Sequence, residues 1–297
     1  MTTTEYRTIF FIYKKQLYVI GYNNGVFIKT PTHIKNFNNI KHLSFNDKIA
    51  YTTDENGIIY YNYLQTSFTP QQSTRMDNNT NITPIGNDKY MCVFIDKKGR
   101  PYTVNISPID SRITISYSNF FGIKNTTKLL YYNDYFIFIY IKKNKQYLEV
   151  RGILENVFKM KLSGNVYDIK NNSTYIYILM DDGILYYIDI NIFFNKKLMQ
   201  KSFTSVLLDN VIQISSNENY LSLLDSKGVV WITNSDGSNL HSISGLPKIK
   251  EISSGNFYTL VVDIHNNIYV NGTFAKILNK SNDPFIFYKL EINNISH

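Results

Sequence analysis

The chain has 297 residues, 43% hydrophobic, 15% aromatic and only 18% charged, with a net charge of +8. That excludes a disordered chain and supplies apolar material for one large domain or two ordinary ones. Forty Ile, 36 Asn, 25 Tyr and 19 Phe stand against two Ala, Ala50 and Ala275, which argues for strands and turns rather than helices.

In chain order, Met1–Arg7 is polar and Lys14 and Lys15 break the apolar stretch that follows, so no signal peptide is read. Ile9–Tyr18 reads as a hairpin. Ile40-Lys-His-Leu43-Ser44 is a short strand with apolar residues three apart, and Ile49–Tyr60 is a second hairpin turning at Asp54-Glu-Asn-Gly57. Gln71–Thr83 is polar and reads as a surface loop. Ile82–Ile85 again carries the apolar pair, ahead of a hairpin at Met91–Tyr102 that contains Cys92, the single cysteine. With no partner for a disulfide, Cys92 gives no sign of an oxidising compartment. Tyr135–Tyr147 is the fourth hairpin; its apolar run Tyr135–Ile141 is far shorter than the roughly 20 residues of a membrane-spanning helix. Val166–Ile169 leads into Tyr175–Tyr186, Val211–Ser215 into Tyr220–Trp231, and Ile249–Ser253 into Tyr258–Tyr269. The expectation is a soluble, intracellular protein of cytoplasm, nucleus or virion.

The aromatic after each turn marks a repeat. Tyr18, Tyr60, Tyr102, Tyr147, Tyr186, Trp231 and Tyr269 are separated by 42, 42, 45, 39, 45 and 38 residues. A period of roughly 40–45 residues built from four short strands predicts a β-propeller blade, and seven periods fill the chain. The fold class expected is therefore all-β, a seven-bladed β-propeller in a single domain spanning 1–297. The first hairpin (near 5–23) lacks a leading strand. Ile292-Asn-Asn-Ile295 resembles Phe37-Asn-Asn-Ile40, so a C-terminal strand near 287–297 is expected to close the ring on the N-terminal blade.

Leu246–Gly272, with its apolar pair, Gly255, Asp263 and an aromatic strand through Tyr269 ending in Gly272, resembles a repeat of the regulator of chromosome condensation family. Val230–Leu240 and Leu17–Phe27 resemble the turn that follows it. The likeness is good over about two repeats and faint over the others. Tyr258 and Tyr220 replace the family's His, and the paired glycines are mostly gone. Membership would imply a propeller that binds other proteins. It also raises guanine-nucleotide exchange on a small GTPase, and chromatin or DNA association, as alternatives. A structural virion role is a third, because the A/T-rich codons of Ile, Asn, Lys, Tyr and Phe point to a source such as an amoebal giant virus or a protist.

No chemistry-bearing motif emerges. His33, His42, His241, His265 and His297 each read as isolated in a loop, turn or terminus without metal-ligand spacing, so no metal, cofactor or catalytic residue is expected. Asp54, Asp96, Asp181, Asp225 and Asp263 recur with the repeat and are expected to accept hydrogen bonds from turn N–H groups. Two successive hairpin tips are basic: Lys97-Lys98-Gly-Arg100 and Lys142-Lys143-Asn-Lys145. In a propeller such tips are neighbours, so these six cations form the candidate docking patch for an acidic protein or a phosphate backbone. The surplus is lysine (31 − 5 Arg = 26) rather than the arginine that bidentate recognition prefers. The expected function is a non-enzymatic interaction scaffold.

Overall fold

The computed structural model describes residues 2–3, 8–23, 26–34, 39–45, 49–56, 58–63, 71–72, 83–87, 91–96, 98–106, 113–117, 123–132, 135–152, 156–195, 202–255, 258–278, 280–281 and 283–291. Among them are seven four-stranded sheets, each made of strands adjacent in sequence. The first holds β1 (Thr2–Thr3), β2 (Thr8–Tyr13), β3 (Gln16–Asn23) and β4 (Val26–His33). The second holds β5 (Ile40–Phe45), β6 (Ile49–Asp54), β7 (Ile59–Tyr63) and β8 (Gln71–Gln72). The third holds β9 (Thr83–Asn87), β10 (Met91–Ile95), β11 (Pro101–Ile106) and β12 (Ile113–Tyr117). The fourth holds β13 (Thr126–Tyr132), β14 (Tyr135–Lys142), β15 (Lys145–Gly152) and β16 (Asn156–Lys161). The fifth holds β17 (Val166–Asn171), β18 (Tyr175–Met180), β19 (Leu185–Asp189) and β20 (Thr204–Ser205). The sixth holds β21 (Val211–Ser216), β22 (Tyr220–Asp225), β23 (Val230–Asn234) and β24 (His241–Ser242). The seventh holds β25 (Ile249–Gly255), β26 (Tyr258–Asp263), β27 (Ile268–Val270) and β28 (Tyr288–Lys289). Two short helices, α1 (Ile190–Phe193) and α2 (Thr273–Ile277), were not expected; Asp189 caps the first, its carboxylate accepting from Asn191 N at 2.8 Å.

All seven expected hairpins are the second and third strands of a sheet. The leading strands Ile40, Val166, Val211 and Ile249 are its first strands, and their spacing of three has a cause. Each carries a β-bulge just after that residue: the register shifts between Ile40 and His42, Val166 and Asp168, Val211 and Gln213, and Ile249 and Glu251. The extra residue returns the third position to the buried face, so Ile40 and Leu43, or Ile249 and Ile252, both point inward. The fourth sheet's first strand, β13, escaped the sequence reading. So did β8, which makes Gln71–Gln72 a strand inside the stretch expected to be loop.

The contacts divide the chain into two compact units. One comprises Met1–Thr4, Phe10–Val26 and His33–Ser163; the other comprises Glu5–Ile9, Phe27–Thr32 and Gly164–His297. In the first, the third and fourth sheets share a cluster of Ile95, Ile123, Leu129, Phe136 and Phe138. In the second, Leu221 and Leu223 of β22 pack with Tyr177 and Leu179 of the fifth sheet, while Leu224 packs with Ile252 and Val261 of the seventh. A strand covered on both faces has no polar side to show, which is why the second strands read as continuous apolar runs.

Successive sheets are also stitched by main chain. The hairpin carbonyls of Lys15, Gly99, Gly183 and Gly228 accept from Ile40, Thr126, Val211 and Ile249, the first residues of the next sheet, at 2.9–3.1 Å. The residue just before that strand is tied to the hairpin of its own sheet: the carbonyls of Asn39, Asn125 and Asn210 accept from Glu55, Ile141 and Ser226. All three Asn are left-handed, at φ 58–59°, a conformation Asn tolerates better than most residues.

The position beside β2 expected for a C-terminal strand is held by Thr2–Thr3, and β28 pairs with β27 in the seventh sheet. The segment Ile292–His297 proposed for closure lies outside the described residues.

Candidate functional site

Lys98 and Arg100 are exposed on the β10–β11 turn; Lys97 lies outside the described residues. This turn is closed by Asp96, whose Oδ1 accepts from Lys98 N at 2.8 Å and Arg100 N at 2.9 Å. Its Oδ2 holds the Arg100 guanidinium at 2.5 Å, so part of this tip's positive charge is already answered. The β14–β15 turn places Lys143 and Asn144 at φ 50° and 57°, the mirror-image two-residue turn that follows strand twist. Lys142, Lys143 and Lys145 are exposed on it. The two hairpins meet at adjacent residues: Gly99 accepts from Thr126 while Ile141 donates to Asn125.

Beside Asn125 opens a cleft of about 320 Å³ lined by Lys124, Lys142, Lys143, Tyr140, Glu149, Arg151 and Lys159 among others. Lys142 and Lys143 therefore belong to a different cation set from the one expected, while Lys98, Arg100 and Lys145 are not among its lining residues. Glu149, 7% exposed, forms the charged floor. Tyr140 donates to its Oε2 at 2.7 Å, Arg151 Nε to its Oε1 at 2.7 Å, and Lys159 Nζ stands 3.5 Å from Oε2. Burial opposes ionisation of Glu149, but the Tyr140 hydroxyl, Arg151 and Lys159 together hold its carboxyl below the usual carboxylate range. The hydrogen bond with Tyr140, and the Glu149 charge, hold the Lys159 ammonium up. Lys159 also lies over the stacked rings of Tyr140 and Tyr147, at 5.1 and 5.4 Å. The sequence signal for this floor was the alternation Tyr147-x-Glu149-x-Arg151 on one face of β15, opposite Lys159 in the register Glu149–Lys159.

The turn carboxylates act as expected at Asp54, Asp96, Asp225 and Asp263, each of whose Oδ1 accepts the amides two and four residues on. Asp181 does not. Met180 takes the equivalent place, and Asp181 instead accepts from the Asn165 side chain. The repeat's aromatic also has a partner: Trp231 Nε1 reaches Asp225 Oδ2 at 3.0 Å, and Tyr269 OH reaches Asp263 Oδ2 at 3.3 Å. The histidines are less loop-bound than expected, because the bulged and edge strands extend further than the apolar pattern. His33, His42 and His241 lie in β4, β5 and β24; His265 is in a turn, and His297 lies outside the described residues. No His, Cys or carboxylate group of three that could hold a metal occurs among the described residues. Among them, too, no helix is long and apolar enough to cross a membrane.

No protein-family model matches the chain, and no curated protein matches it. Solved structures do. Human WBSCR16 matches with a TM-score of 0.61 at 11% identity, over 89% of this chain and 85% of that one. Yeast RCC1 (Prp20), solved bound to Kap60, matches at 0.63 and 12%, over 91% and 79%. The tricorn protease matches at 0.64 and 10%, over 98% of this chain and 34% of its own. The chain thus has an all-β fold of the RCC1-like β-propeller type, in divergent form. At 10–12% identity the likeness is one of fold.

Proposed function

We propose that the seven sheets are the blades of one propeller domain spanning 1–297, and that it serves as a non-enzymatic, intracellular scaffold for an acidic protein partner. The observation that supports this best is the cation-lined cleft beside Asn125, which the Lys142–Lys143 tip lines and whose Asn125 packs against Gly99 of the other tip. That Prp20 was solved bound to Kap60 makes a protein partner the natural class to test first. Charge reversal at Lys97, Lys98, Lys142 and Lys143 is expected to weaken capture of the partner found by affinity purification from the source cell. Undiminished capture would sink the reading.

The fold likeness to Prp20 supports guanine-nucleotide exchange as the second reading. Accelerated nucleotide release from a small GTPase would establish it over the scaffold. Chromatin or DNA association would instead show as binding to duplex DNA that falls steeply with salt.

A further inference from the structure

We infer that the fourth-sheet cleft is a receptor for a phosphorylated side chain of a protein partner. The inference rests on the scaffold reading for its biology but not for its chemistry. Five cations, Lys124, Lys142, Lys143, Arg151 and Lys159, line the cleft against one carboxylate, Glu149, leaving 5 − 1 = +4. Among the described residues Lys124, Lys142 and Lys143 form no ion pair, so three ammonium groups around one opening have unmet charge. A phosphate monoester brings close to two negative charges and three acceptor oxygens to that opening, where a carboxylate brings one charge and two oxygens.

The cup is built before any ligand arrives. The Asn125 carbonyl accepts from Ile141 at 3.0 Å, fixing the lysine-bearing hairpin against the segment that carries Lys124. Glu149 fixes the floor, gripping Arg151 through Nε and Nη2 and drawing Lys159 against Tyr140. Ordering these long side chains in advance removes an entropy cost that a ligand would otherwise meet. Glu149 is thus a positioning residue, its charge outweighed by the cations it arranges. A nucleic-acid backbone or an anionic membrane fits less well, because each presents a run of phosphates while the cations here converge on one small, half-open cleft.

The test is fluorescence anisotropy with a labelled Gly-Ser-rich peptide bearing one phosphoserine, beside the same peptide with Ser or with Glu. The phosphopeptide is expected to bind at least tenfold more tightly than the Glu peptide. Its affinity should fall as pH drops below about 6, where the phosphate loses its second charge while Lys and Arg keep theirs. K142Q/K143Q is expected to weaken binding at least tenfold with an unchanged circular dichroism spectrum, whereas K227Q, at an exposed lysine on the β22–β23 turn of the sixth sheet, should leave it unchanged. Equal binding of the Glu peptide, or full binding by K142Q/K143Q, overturns the inference. So does retention on phosphatidylinositol-phosphate vesicles or duplex DNA without phosphopeptide binding. Phosphopeptide binding that persists when partner capture fails would overturn the scaffold reading and leave this one standing.

Discussion

The amide of Thr126 donates to the carbonyl of Gly99 at 2.9 Å, across the boundary between the third and fourth sheets. Gly99 is left-handed, at φ 68°, and a Cβ on it would lie 2.6 Å from Asn125 Cα and Thr126 N. The turn glycine is therefore needed twice, for its own conformation and for the closeness of the next sheet. Gly99→Ala is expected to cost about 1–3 kcal/mol and to move the β13 end of the cleft. Chemical denaturation measures the first effect and anion binding at the cleft the second. Gly245, also left-handed but with nothing within 4 Å of an added Cβ, is the control: Gly245→Ala should cost less.

Asp225 closes its turn with two amide hydrogen bonds and holds Trp231 with its other oxygen. Its replacement by Ala strands three donors in a turn packed against Ile249. A loss of about 2–3 kcal/mol is expected in urea unfolding. Asp181→Ala, at the turn where Met180 takes the closing position, should stay within about 0.5 kcal/mol. Equal effects at the two sites would show that the recurring acid is not the turn's fastener.

Tyr177 is buried in β18. Its hydroxyl donates to the Ser235 carbonyl at 2.8 Å and accepts from Asn172 Nδ2 at 3.0 Å, and burial pushes the phenol well above its ordinary range. Asn172 also donates to the Asn217 carbonyl at 3.1 Å, so one hydroxyl ties the fifth sheet to the sixth. Tyr177→Phe is expected to destabilise by about 1–2 kcal/mol through the polar groups left behind. Slower-exchanging amides of β18 and β22 should lose protection together in hydrogen-exchange measurements.

His42 is held down to about 4 by burial, with the Lys41 charge adding to it. Its folded pKa lies below the ordinary 6.5, so the unfolded chain binds the extra proton first. The His42 contribution is intact above pH 6.5 and is lost as pH falls toward 4. Thermal melts from pH 7 to pH 4 should show this loss in the wild type and a flatter profile in His42→Gln.

How much was legible in the residues depends on how far apart the deciding groups lie. The seven hairpins and their turn acids are relations within a dozen neighbouring residues, and the spacing of about 42 is that local unit repeated along the chain. Alternation, turn chemistry and β-propensity act at that range, so the sequence by itself determined the all-β repeat. Only the tertiary structure decided the rest. The apolar pair three apart became intelligible once the bulge at Ile40–His42 and its counterparts was seen. Thr2–Thr3 proved to stand beside β2, where a C-terminal strand was expected. The functional candidate moved most. Six cations on two tips were readable from spacing, but Arg100 turned out to be answered by Asp96. The cleft collects Lys124, Arg151 and Lys159 from the segment before β13, from β15 and from β16. No local pattern joins those three; sheet register and the buried carboxylate of Glu149 do, because an ion held in low dielectric gathers whatever opposite charges the fold brings within reach.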